Sequence, residues 1–224
     1  MKSVIALCLL VFLQLSCSDP TVDDNIRVLV KGKVQDVNGN PLDDAMVHVY
    51  LEGNSSSLLS GSGLSEDDGT FSLTSIFGSN DNLRVNVSKS DSYSSYSYLV
   101  GIRDYIPNDL TFDLQTIQLS KIGFLEINVS REANSENALD LSVFYTSAEC
   151  IQIFEGQNII DDFSFCFEPN SFNRTLGDNF PNFSRTIVVP LNSEVSISYN
   201  INEGETLTET IEVNQENQVY EILY

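Results

Sequence analysis

The sequence contains no tryptophan and one histidine, and its 11 lysines and arginines stand against 32 aspartates and glutamates. Each shortage excludes something. A Ser-His-Asp or Cys-His apparatus needs a histidine in a cleft beside a nucleophile. The one available, His48, sits where Ala45, Val47 and Val49 alternate with Met46, His48 and Tyr50, the pattern of an ordinary strand residue. One histidine and few cysteines serve zinc poorly, so no metal or cofactor is expected. A formal net charge of −21 repels phosphate backbones and anionic headgroups. That excludes a nucleic-acid partner and a purely electrostatic grip on a membrane surface. Beyond the first residues there is no apolar run long enough to span a bilayer. Helical periodicity is almost absent, while alternation and turn residues recur along the chain.

The N-terminus carries its own signal. Met1-Lys2-Ser3 precedes an apolar run from Val4 to Leu13, a short positive start and a short hydrophobic stretch typical of export. Gln14 and Asp19-Pro20 end the run before it could span a membrane. Leu13-Gln14-Leu15-Ser16-Cys17 resembles a bacterial lipobox, which implies cleavage after residue 16 and a diacylglycerol on Cys17. Gln14 departs from the aliphatic residue usual there, and plain cleavage after Ser18 is the rival. Acyl chains contribute about 0.8 kcal/mol per buried CH₂, so several of them hold a soluble domain on a membrane. Residues 17–26 read as an acidic tether. A short acidic stretch after the cysteine also resembles the surface-export signal of Bacteroidetes-type lipoproteins. The expected location is therefore the outer membrane, with exposure at the cell surface.

Alternating segments predict two consecutive antiparallel β-sandwiches, at 27–120 and 121–224. In the first, strands are expected around Val28–Val34, Ala45–Leu51, Thr70–Leu73, Leu83–Val87 and 110–119, with a Ser/Gly-rich loop from Asn54 to Ser65. In the second they are expected around Leu125–Val129, Leu139–Tyr145, Val195–Ile201, Leu207–Val213 and Val219–Tyr224. Lys121-Ile122-Gly123 leaves little room for a linker.

Within the first half, Gly32-Lys33-Val34-Gln35-Asp36, Asn38-Gly39-Asn40-Pro41-Leu42 and Ala45-Met46-Val47 follow the pattern G-x-V-x-D-x-x-G-x-P-L-x-x-A-x-V. Asp68-Gly69-Thr70-Phe71-Ser72-Leu73 follows D-G-x-F-x-L, and Leu114–Leu119 stands where a closing strand belongs. Residues 27–120 thus resemble the carboxypeptidase regulatory-like domain. The resemblance implies a transthyretin-like sandwich that is itself non-catalytic. The second half resembles no family.

Several groups are candidates for a site. Asp36-Val37-Asn38-Gly39-Asn40 has the composition of a calcium loop, but glycine stands fourth where an EF-hand needs it sixth, so a hairpin turn is expected. Asp23-Asp24, Asp43-Asp44 and Asp67-Asp68 are acid pairs whose plainer reading is solvated loops. The Ser/Tyr-rich stretch 90–105 offers Tyr93, Tyr96, Tyr98 and Tyr105 as an aromatic platform for glycan or peptide. The competing reading is a strand with Tyr96 and Tyr98 on one face. Catalytic carboxylate pairs stay open, because spacing along a chain does not give separation in space.

Cys150 and Cys166 have a geometric reading. If 150–155 and 162–167 form a hairpin about Asn158, Ile153 faces Phe163, Ile151 faces Phe165 and Cys150 faces Cys166. A cross-strand disulfide follows, on the face opposite an Ile/Phe core. These observations lead to the expectation of a non-enzymatic, lipid-anchored envelope protein that binds a glycan, a peptide or a partner envelope protein. The alternatives are a hydrolase with acids in an inter-domain cleft, and a structural spacer or adhesin subunit.

Overall fold

A computed structural model describes residues 26–53, 57–77, 82–100 and 106–224. Cys17 and Tyr105 lie outside the described residues, as do Asp23-Asp24 and all of the tether except Ile26.

The chain is all-β, and its strands form two sandwiches. In the first, a three-stranded sheet runs β4 (Thr70–Phe77), β1 (Ile26–Asp36), β7 (Thr111–Leu119). It faces a sheet ordered β3 (Ser57–Leu64), β2 (Met46–Glu52), β5 (Asn82–Ser88), β6 (Tyr96–Val100), β10 (Cys150–Glu155). Two short strands, β11 (Asn158–Ile159) and β12 (Phe165–Cys166), both pair with β10. In the second sandwich, β13 (Pro169–Leu176), β9 (Leu139–Thr146), β15 (Ser193–Ile201) and β16 (Leu207–Val213) form one sheet. The other is β14 (Asn182–Pro190), β8 (Ile122–Ser130) and β17 (Asn217–Leu223). Pairing is mostly antiparallel, but β1–β7, β6–β10 and β8–β17 are parallel.

Alternation sends the expected side chains inward. Val28, Val30, Val47, Val49, Val85 and Phe112 share one core; Leu125, Ile127, Leu141, Val143, Ile197 and Ile222 share the other. Where the chain passes between sandwiches, backbone bonds leave no free linker. Ser94 N–H donates to the Ser120 carbonyl at 2.8 Å, Ile122 N–H to that of Ser92 at 3.0 Å, and Leu191 N–H to that of Lys121 at 2.8 Å.

Three expectations are corrected. The sheets do not divide at 120/121: residues 150–166 leave the second half and extend the first sandwich. Thr146 pairs with Pro169, so β9 and β13 form a hairpin whose far end continues into β10–β12. The Ser/Gly stretch expected as a loop contains β3, an edge strand. Gly61 and Gly63 let it lie against Leu73 and Ser75, and Ser60 Oγ meets Ser75 Oγ at 2.7 Å. Finally, the Asn38-Gly39 turn joins no hairpin of long strands. It closes locally through Gln35 and Pro41, and the chain then crosses to β2 in the opposite sheet.

The two motif turns carry acid-sensitive caps. Asp36 is held below the usual aspartate value of 3.8 first by the Asn40 side chain, and Asp68 first by the Thr70 hydroxyl. Asp43 is lowered by Lys89, whose Nζ lies 2.6 Å from its Oδ1. A carboxyl depressed in the folded state stabilises above its unfolded value and loses that contribution as pH falls through its folded value. The urea midpoint is therefore expected to drop below about pH 4, and Asp36→Asn with Asp68→Asn to shrink that drop. An equal drop in wild type and double variant would remove these carboxyls as its source.

Candidate functional site: a cleft in the first sandwich

The first sandwich closes on one side, where β3 meets β4, and opens on the other, between β7 and β10–β11. A cavity of about 650 Å³ occupies the open side. Its size is within the usual range for small-molecule sites, about 300–1,000 Å³.

Aromatic rings form the inner surface. Tyr96 and Tyr98 come from β6, Phe112 from β7 and Phe154 from β10. Tyr98 and Phe154 lie with ring centroids 4.5 Å apart. Parallel pairing sets Cys150, Gln152 and Phe154 beside Tyr96, Tyr98 and Val100, all on the inward side of the sheet. Tyr96 Oη donates to Gln152 Oε1 at 2.7 Å, and burial pushes the Tyr96 phenol up, so it stays a donor.

The outer wall is polar because β7 is bulged. Lys31 pairs with Asp113 and Lys33 with Thr116, leaving an extra residue between them. Gln115 takes φ 56° there. Phe112 and Leu114 are buried before the bulge and Ile117 and Leu119 after it, so the phase shift exposes Gln115 and Thr116 together. The acids of this wall are engaged. Asp109 Oδ1 accepts from Thr111 N–H at 3.1 Å and Asp113 Oδ1 from Gln115 N–H at 2.9 Å. Asp113 Oδ2 lies 3.2 Å from Lys31 Nζ, which neutralises the cation that lines the cleft.

Of the four tyrosines expected to form a platform, the three among the described residues, Tyr93, Tyr96 and Tyr98, share no exposed face. Tyr96 and Tyr98 are 6% and 7% exposed and belong to the core, reaching the cleft from inside. The strand reading holds for them, because their face of β6 turns inward and β10 covers its edge. Tyr93 is half-buried in a separate depression of about 390 Å³ with Ile122 and Phe124, at the junction of the sandwiches. His48 lies on the outward side of β2 beside Tyr50 and does not line the cleft. Asp43 and Asp68 are taken up by Lys89 and Thr70. Among the described residues no cluster of three or more His, Cys, Asp or Glu is arranged to hold a metal.

The Cys150–Cys166 disulfide is present, with Cα atoms 3.9 Å apart, and Ile151 faces Phe165 as expected. Two details differ. Glu155 pairs with Asn158, so the turn is Gly156-Gln157, and the three residues displaced from the register form a 3-10 turn at Asp161–Phe163. The disulfide lies on the core side, with Cys150 5% exposed, while Phe163 is 66% exposed. Sequence reasoning missed Gln152, Phe154, Asp109, Asp113 and Gln115. The broken alternation between Leu114 and Ile117 was the one signal that pointed to the bulge.

Neither a family model nor a curated protein matches this chain. Solved structures align with parts of it at low identity. The Bacillus anthracis TIE protein is 10% identical, with TM-score 0.32, over 89% of this chain and 34% of its own length. The 3-chlorocatechol 1,2-dioxygenase of Rhodococcus opacus is 14% identical, with TM-score 0.31, over 45% of this chain and 62% of its own. The tip fimbrial protein Mfa3 of Porphyromonas gingivalis is 9% identical, with TM-score 0.31, over 83% of this chain and 82% of its own. The chain therefore spans less than two thirds of the length of the first two.

Proposed function

We propose that the chain is a non-catalytic, lipid-anchored protein of the cell envelope that binds its ligand in the cleft between β7 and β10–β11. The observation that carries this reading is the lining of the cleft. It combines buried aromatic rings with amide side chains, and its carboxylates are already bound to their own strand or to Lys31. Preformed aromatic surface with a few placed polar groups suits recognition. Among the described residues the hydrolase reading finds two acids here, Asp109 and Asp113. Both act as local caps, and among the described residues neither stands beside a histidine or cysteine in the cleft.

The anchor rests on the Ser16-Cys17 junction after an apolar run. Cys17→Ala is expected to move the protein from the membrane fraction to the soluble one, and mass spectrometry of the native N-terminus to find an acylated Cys17. An unmodified N-terminus at Asp19 defeats this half of the proposal.

The resemblance to a carboxypeptidase regulatory-like module is kept for residues 27–120. Its support is the meeting of the two motif turns: Val34 N–H donates to the Gly69 carbonyl at 2.8 Å and Leu42 N–H to that of Val34 at 3.0 Å.

A further inference from the structure

Resting on the binding role just proposed, we infer that the cleft takes a short segment of neutral glycan, recognised by amides on its walls and by the face of Phe154. The chemistry of the walls selects this class by elimination. An anionic ligand meets Asp109 and Asp113, and Lys31, the one cation among the described residues that line the cleft, is already paired at 3.2 Å. A cation meets carboxylates whose Oδ1 atoms already accept backbone N–H groups. A lipid or other apolar ligand would leave the Gln115, Gln152 and Gln157 amides unpaired against hydrocarbon, at a cost of a few kcal/mol.

A neutral polyol fits each of these features. Gln152 Oε1 is taken by Tyr96 Oη, which fixes the amide and leaves its Nε2 as a donor facing the cleft. Gln115 is held out by the bulge, and its side chain makes no hydrogen bond among the described residues. Among the described residues Asp109 Oδ2 is left without a hydrogen-bond donor and remains as an acceptor for a hydroxyl. Phe154 is half-buried, braced by Tyr98, and offers a ring face to the C–H side of a sugar ring. Bracing matters because a preordered site loses less freedom on binding.

The test uses the full acylated protein in detergent and a named panel: maltohexaose, cellohexaose, xylohexaose and laminarihexaose, with trigalacturonate and a neutral extended hexapeptide as comparators. Isothermal titration is expected to show saturable binding of at least one neutral oligosaccharide. Its Kd should be unchanged between low and high salt, since no ion pair forms. Gln152→Ala and Phe154→Leu are each expected to weaken it about tenfold, the loss of one good contact. The exposed Gln115→Ala should weaken it about threefold and leave the melting temperature unchanged, which separates binding from folding. No binding by any of the four overturns the glycan inference, and so does binding that the three variants leave intact. If the peptide or trigalacturonate binds instead and depends on Gln152, the ligand class is wrong and the cleft is still the site. If no probe's binding responds to the three variants, the cleft reading fails with it.

Discussion

Replacing Cys150 and Cys166 together by alanine will lower the unfolding free energy by about 3 kcal/mol, the usual effect of opening a loop of this size. The bond joins residues 16 apart at the point where the β9–β13 hairpin passes from one sandwich into the other. Beyond it, β10 makes its parallel pairing with β6 over five residues, Cys150 to Phe154, and carries Gln152 and Phe154 into the cleft. Both cysteines also pack on the first core. Opening the bond therefore frees the segment that covers Tyr96 and Tyr98, and the damage concentrates there. Hydrogen exchange should show Tyr96–Val100 and Cys150–Glu155 losing protection while Leu125–Val129 keeps its own. Urea unfolding under non-reducing conditions gives the magnitude. A double variant with the wild-type midpoint and unchanged exchange in β6 would show that pairing alone secures the hairpin.

This hairpin also shows how far the sequence reaches. Its register was legible because the cysteines and the Ile151/Phe165 pair demand the same alignment. The direction of its two faces was not. Ile151, Ile153, Phe163 and Phe165 mark one apolar side, but which side becomes interior depends on β6, some fifty residues earlier, and on parallel pairing that leaves no local trace. In place, Ile151 and Ile153 are only half-buried on the outer surface, and Cys150 takes the core position. Strands buried on one face, such as Leu83–Val87 and Leu125–Val129, were readable from period alone. Edge strands were not. In β13 only Phe172 and Leu176 are buried among eight residues, so its sequence shows no alternation to detect. The cleft was hidden for the same reason as the hairpin faces, since it is assembled from an edge strand with a bulge and a strand borrowed from the other half.

Gly69→Ala will be far more damaging than Gly39→Ala, although the two glycines look alike in sequence and in backbone. Both follow a polar residue in a turn, and their φ values are +81° and +82°. An alanine in this left-handed region costs about 1–2 kcal/mol from its Cβ alone. At Gly39 nothing lies within 4 Å of the added atom, so that cost is the whole effect. At Gly69 the added Cβ would collide with the Val34 carbonyl oxygen and press on Pro41 Cβ at 3.2 Å. That carbonyl cannot retreat freely, because it accepts the Leu42 N–H, while Val34 N–H is bound to the Gly69 carbonyl. Val34 is itself fully buried, so moving its peptide disturbs the core between the two sheets of the first sandwich. Crowding of this kind adds about 1–3 kcal/mol. The expected losses are therefore about 1–2 kcal/mol for Gly39→Ala and about 3–4 kcal/mol for Gly69→Ala, read from urea unfolding of the two variants side by side. Equal losses would mean that the two turns do not interlock through Val34, and would weaken the support that their meeting gives to the family resemblance.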